Sequence, residues 1–341
     1  IMDNNTILTD REKQLLTKTV EEFIASIQPV GSQHLQRRYS IPLSSASIRQ
    51  ILYRLEQKGL LTHPYTSAGR IPTDEGYRYY VDHCLEDQAK RILPAGALEE
   101  LTRLSTDINN VLQATAQLLG KLSQLFGMVV IPDPDHSVLH DIELIPLTDE
   151  RIMMVLAMES GMVRSIVLNL DICVRPGDVE KIRIMLNERL SGLKLTEIIS
   201  SIDNRLKETD VFDHEIVQVI LNHTEEYFHF STDMLIYSSS LQPLLSHPEF
   251  QDQSMLNDTI TALDEGKIEL VINRSLNTPD IFWSIGSENE ERLLHRCAVI
   301  TAPFSSDVIS GQLALLGPTR LPYKKVKQIL DSFVEIMPDV C

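Results

Sequence analysis

The sequence predicts an α+β protein, with a winged helix-turn-helix at the amino end followed by an antiparallel sheet domain that a mainly helical segment interrupts. Three observations point there. Apolar residues recur at helical spacing in three short segments before residue 60, and two extended stretches then flank the turn "TSAG". From "GMVVIP" onward the apolar period changes from that of a helix to that of strands.

In the first helix Leu15, Leu16, Val20, Phe23, Ile24 and Ile27 form one stripe, with Thr9 and Asp10 as capping candidates. Pro29 and Gly31 break it, and Ser32 is placed to cap a short helix carrying Leu35 and Tyr39. Ser44 opens the third, "SASIRQILYRLEQK", which Gly59 ends. There Ile48, Ile51, Leu52 and Leu55 share one face, while Ala46, Gln50 and Tyr53 point the other way with Arg49 and Arg54 on the flanks. Thr73 then caps a helix with Asp74 and Glu75 in its first turn. Its stripe of Tyr77, Tyr80, Val81 and Cys84 is expected to be core.

Farther on, "LEELTRLSTDINNVLQATAQLLGKLSQLF" predicts a connecting helix. "SVLHDIELIPL", "RIMMVLAM" and "MVRSIVLNL", parted by polar turns, predict an antiparallel meander, and "DIFWSIG", "CAVITAPF" and "GQLALLGP" repeat that pattern near the end. Residues from about 171 to 235 are mostly helical in pattern. The expected organisation is a reader over 1–88, a connecting helix over 89–126, a sheet domain over 127–170 and 236–341, and an insertion over 171–235.

A chain of 341 residues, 43% hydrophobic and 23% charged, fits two or three globular domains. No run of about 18 uncharged apolar residues offers a membrane span. The start lacks the pattern of a secretory signal, and Cys84, Cys173, Cys297 and Cys341 are too scattered for a disulfide frame or zinc site, so a cytoplasmic location is expected. The net charge is −17, yet between Ser32 and Tyr80 Arg37, Arg38, Arg49, Arg54, Lys58, Arg70 and Arg78 face only Glu56, Asp74 and Glu75. A basic module on an acidic body favours local, oriented docking on a polyanion over indiscriminate coating.

Double-stranded DNA is the partner this pattern suggests. A recognition helix meets base edges with its outer face, here Ser45, Ala46, Arg49, Gln50 and Tyr53, with Arg54 alongside. Glutamine suits adenine N6 and N7, arginine suits guanine O6 and N7, and the serines Ser44, Ser45 and Ser47 at the helix start can meet a phosphate. At the loop, Thr66, Ser67, Gly69 and an exposed Arg70 combine small residues with a cation of long reach, as contact with the backbone or minor groove requires. Bland readings stand beside these. Short helical trios also bind proteins, and Gly69 is equally explained by a turn needing positive φ.

The stretch "PVGSQHLQRRYSIPLSSASIRQILYRLEQKGLLTHPYTSAGRIPTDEGYRYYVD" resembles the amino-terminal domain of the HrcA heat-inducible transcription repressors. "IGSENEERLLHRCAVITAPF" and "GQLALLGPTRLPYKKV" resemble the end of the same family, while residues 171–235 carry no motif of it. The resemblance implies a GAF-like sheet domain, an inserted dimerisation domain, a homodimer, and repression of chaperone operons through an inverted-repeat operator. It also implies the GroEL chaperonin as a partner. One departure is local: the family usually shows Asn-Glu after the helix-three arginine, where this chain has Gln50 and Ile51.

Catalysis is not expected, and no cofactor or metal is called for. "HSVLHD" specifies no ligand set, "HRC" lacks an orienting third group, and the nucleotide and hydrolase loop motifs are missing. Cys297 at the head of an apolar strand fits a small core residue, and Arg320 in "LGPTR" fits an exposed cation beside a turn. Two other functions stay open: a ligand-gated repressor of another regulon, and a non-DNA protein adaptor.

Overall fold

The protein, seen in a computed structural model, is described over residues 8–65, 68–85, 96, 101, 103, 107–132, 137–159, 161–171, 175–229, 234–276, 278–306 and 309–340. Helices α1 (Asp10–Ser26), α2 (Ser32–Tyr39) and α3 (Ser45–Gln57) come first, then strands β1 (Leu61–Thr62) and β2 (Ile71–Pro72), then α4 (Asp74–Cys84). This order matches the apolar spacing. Thr9 closes a capping box with Glu12, Ser44 accepts the Ser47 N–H at 3.1 Å, and Thr73 accepts the Gly76 N–H at 3.0 Å. Each cap satisfies an amide that a first helical turn leaves unpaired. Gly31, not Ser32, occupies the cap position of α2.

Leu15, Leu16, Val20, Leu35, Ile48 and Leu55 are buried between these helices. Glu12 is buried with them and accepts from Lys58 at 3.0 Å, tying α1 to the end of α3. Burial pushes its carboxyl up, but the bonds from Thr9 and Lys58 outweigh this and hold it below the usual carboxylate range.

Helix α5 (Ile108–Ser123) leads into β3 (Phe126–Pro132), followed by β4 (Leu139–Thr148), β5 (Arg151–Met158) and β6 (Val163–Asn169). Helices α6 (Pro176–Leu190), α7 (Leu195–Leu206), α8 (Glu215–Asn222) and α9 (Thr224–Phe228) come next. The remainder is β7 (Met234–Ser238), α10 (Gln242–Leu245), α11 (Gln253–Asp264), α12 (Lys267–Ser275), β8 (Phe282–Ile285), β9 (Cys297–Ser305), β10 (Ser310–Pro318) and α13 (Tyr323–Val340).

A five-stranded antiparallel sheet runs β7-β3-β10-β9-β8, with Gly127 opposite Leu315 and Val129 opposite Tyr237. Strands β4, β5 and β6 make a separate three-stranded sheet. This corrects the expectation that 127–170 belongs to one sheet with the last strands: the chain leaves the large sheet after β3 and rejoins it at β7. Burial supplies the reason. Nearly every residue of β9 and β10 is buried, so both faces of that sheet are covered, whereas β4 and β5 alternate between buried and open positions. Strands with one open face suit a sheet covered on one side only.

The two faces of the large sheet have different partners. Ala298, Ile300 and Ala302 face a core shared with Tyr323, Ile329 and Phe333 of α13, while Cys297, Val299 and Ala314 face Met255 and Ile268 of α11 and α12. Those two helices were not among the elements expected from the sequence. Cys297 is a core residue, its thiol pushed up to about 11 by burial.

Candidate nucleic-acid interface

Helix α3 has two faces with different company. Ile48, Ile51, Leu52 and Leu55 are buried, while Ala46, Arg49, Gln50, Tyr53 and Arg54 are exposed. Tyr53 is 53% exposed, which no packing role explains. Arg54 keeps 55% of its side chain open, with Glu12 no nearer than 3.8 Å. At the helix start the serines have structural partners: the Ser44 and Ser47 hydroxyls lie 2.9 Å apart, and the Ser45 hydroxyl lies 2.9 Å from that of Ser32 in α2. The outer face therefore presents two guanidinium groups, the amides of Gln50 and, two turns on, Gln57, and one phenol, and no carboxylate, a set able to meet base edges and phosphates.

The hairpin differs from its expected form. Thr66 and Ser67 lie outside the described residues. Arg70 is not an exposed wing-tip cation: its side chain is largely covered, and its Nη2 lies 2.7 Å from Glu56 Oε2 at the end of α3. Glu56 also pairs with His63 Nδ1. The cause is backbone pairing, because Arg70 and Val30 exchange N–H to carbonyl bonds of 2.9 and 2.8 Å. That pairing fixes the strand against the link between α1 and α2 and turns Arg70 toward α3.

Gly69 serves this same contact. A Cβ there would lie 2.6 Å from the carbonyl carbons of Pro29 and Val30, and its φ is not positive, so neither the turn reading nor approach to DNA is needed to explain it. Gly69→Ala is expected to push the hairpin off the linker and to cost about 1–3 kcal/mol through overpacking. A urea melt measures the loss, and faster amide exchange at Val30 and Arg70 locates it.

Other groups of the face were missed. Tyr65 is 63% exposed beside the hairpin turn. Gln33, His34, Arg37 and Arg38 line an open groove along α2, and Arg38 keeps 68% of its side chain exposed. The signal is present in "SQHLQRRY", whose Leu35 is its one buried apolar residue and whose Arg37 and Arg38 are exposed. Between α2, α3 and the hairpin, Gly31, Ser32, Arg49, Gly69 and Arg70 border a cleft of about 410 Å³.

Behind this face α4 is fastened to the body. Tyr77 and Tyr80 are buried with ring centroids 5.5 and 6.2 Å from that of Tyr323, which stands 5.6 Å from Trp283. Arg320 corrects a further expectation. Only 11% of its side chain is exposed, and it donates to Glu249 and, at 2.8 Å, to the Ile24 carbonyl near the end of α1. The unpaired carbonyl at a helix end attracts such a cation.

Comparison with known proteins decides the family. The family model described as "HrcA protein C terminal domain" matches residues 109–326. A heat-inducible transcription repressor HrcA of Chlorobium phaeobacteroides (strain BS1) is 32% identical over 345 residues, covering 96% of this chain and 97% of that protein. The chain belongs to the HrcA family. Its resemblance also holds for the protein of that name from Shouchella clausii (strain KSM-K16), 33% identical over 340 residues and 96% of each chain. Both HrcA relatives are named as repressors, not as enzymes. A solved crystal structure described as a hypothetical protein shares the fold with a TM-score of 0.68 at 24% identity, covering 98% of this chain and 100% of that one. Among the described residues no helix is long and apolar enough to cross a membrane.

Proposed function

We propose that α1 to α4 with the hairpin form a winged helix-turn-helix that lays α3 in the major groove, and that two chains joined as a homodimer repress transcription from an inverted-repeat operator. The observation that carries this reading is the outer face of α3, where Arg49, Gln50, Tyr53 and Arg54 stand open beside a basic α2. The wing assists mainly through Tyr65 and the backbone near Gly69, because Glu56 engages Arg70. The large sheet, covered on both faces, is the GAF-like domain of this scheme, and no cofactor enters it.

The small sheet supports the homodimer. Cross-strand rows Ile145–Met153–Val167 and Asp141–Ala157–Val163 share its outer face. Ile145, Val163 and Val167 are 42%, 53% and 38% exposed on either side of the Glu143–Val155–Ser165 row, and exposed apolar groups of this kind mark association sites. The dimerising unit then spans the small sheet together with α6 to α9 and is not confined to 171–235. The operons controlled are those of heat-shock chaperones, and the GroEL chaperonin is the partner that governs how much repressor is active.

Two measurements test the reader. Operator affinity is expected to fall linearly on a log scale with added salt, by about 0.9 decades per decade for each phosphate neutralised, which a protein-binding adaptor would not show. Gln50→Ala is expected to cost about 1–3 kcal/mol at a single base step and to relax preference there alone. Binding to permuted duplexes checks it, and an evenly weakened profile would remove Gln50 from the groove.

A further inference from the structure

The segment with Trp283, Gly286, Ser287 and Glu288 makes no part of the outer face of α3, yet it grips the reader. The Ser287 N–H and hydroxyl donate to Asp74 Oδ2 at 2.9 and 3.0 Å. Arg78, one turn along α4, donates to Glu288 Oε1 at 2.7 Å, pairs with Glu288 Oε2, and reaches the Trp283 carbonyl at 2.6 Å. Burial works against the charge on Arg78, and the bonds and charge of Glu288 outweigh it, so the guanidinium holds its proton more firmly than usual.

The receiving loop is built for this contact. Gly286 has φ 58°, and a Cβ there would lie 2.1 Å from the Asp74 carboxylate. A side chain at 286 would thus be strained and would displace Asp74. Asn289, 1% exposed, shapes the loop from beneath by donating to the carbonyls of Gly286, Leu294 and Cys297 while accepting from the Ser284 hydroxyl at 2.7 Å. Such an arrangement is costly to leave half-made, because each buried polar group lost from it would need another partner.

We propose that Asp74 and Arg78, held by residues 283–288, are positioning residues that lock the reader onto the body, so that the body and not the reader sets which half-site separation is accepted. A reader on a loose tether would tolerate many separations, since a flexible link only changes effective concentration. A locked one presents both α3 helices in a fixed relation and demands a matching phase of the duplex. The inference rests on the dimeric reading given above.

The test uses the full chain and inverted-repeat duplexes that it enriches from a random pool, with the spacer unchanged, lengthened by about five base pairs, or lengthened by about ten. Affinity for one isolated half-site is measured alongside. The wild-type chain is expected to reject the half-turn insertion, and Arg78→Glu or Glu288→Ala is expected to narrow that discrimination by about tenfold, the effect of losing a charge-assisted bond. Half-site affinity is expected to stay unchanged in the Glu288→Ala chain, and Arg78→Glu combined with Glu288→Arg is expected to restore the discrimination. Glu288→Ala leaves the reader unchanged in sequence; besides the Arg78 contacts it gives up the bond from the Ile285 N–H at 2.8 Å inside the half-buried loop, and it remains informative if Arg78→Glu folds poorly. Unaltered spacing discrimination in the Glu288→Ala chain would overturn the lock, as would equal losses on half-sites and full sites. A wild-type chain that enriches no repeat, or none in two copies, would instead overturn the dimeric reading before any variant is compared.

Discussion

Val167→Glu is expected to leave the chain folded and monomeric and to reduce affinity for an inverted repeat by about 10²–10⁴-fold, to the level of one half-site, because linkage of two readers supplies that much avidity. Val167 is 38% exposed on the outer face of the small sheet, next to Met153 and in a row with Ile145, so an isolated chain can hydrate a carboxylate there. A second copy seated on that face would bury the charge without a partner, at a cost of about 3–5 kcal/mol. Sedimentation of the variant, free and with DNA, measures both consequences. A Val167→Glu chain that stays dimeric would move the interface off this sheet.

The second large effect concerns folding. Residue 127 pairs with residue 315 and residue 129 with 237, so the inner strand β3 waits for partners from the far end of the chain and from beyond the whole inserted unit. Such non-local pairings slow folding and leave apolar strands open to aggregation. Refolding from denaturant with the GroEL chaperonin present is expected to raise the yield of operator-binding dimer several-fold, and an excess of unfolded competitor is expected to cancel the gain. Competition for a shared binder suffices to couple unfolded clients to active repressor. Equal yields in all three conditions would remove the chaperonin and favour a ligand as the signal.

Much of the amino-terminal architecture was legible because its signals are local. Thr9, Ser44, Gly59 and Thr73 mark helix ends through bonds to residues within four positions, and the buried face of α3 follows from the spacing of Ile48, Ile51, Leu52 and Leu55. What failed depends on distant partners. The sequence presents Arg70 as a free cation because Glu56 is remote in sequence, and Arg320 as exposed because Glu249 and Ile24 are more remote still. The division into two sheets was hidden for the same reason: β4 to β6 and β8 to β10 both read as strands, and only the wet face of one set and the double burial of the other separates them. "IGSENEE" carries family resemblance in sequence, but its contacts with Asp74 and Arg78 need the fold to bring residues 74–78 and 286–288 together.

The central claim is that the outer face of α3, carried twice by a symmetric dimer, reads DNA. Selection of duplexes from a random pool by the purified chain tests this most directly. The expected result is enrichment of one inverted repeat whose half-sites are phased by whole helical turns and whose recovery falls steeply with salt. A pool that remains unenriched after repeated rounds at low salt, or that yields a single unrepeated site, would contradict it.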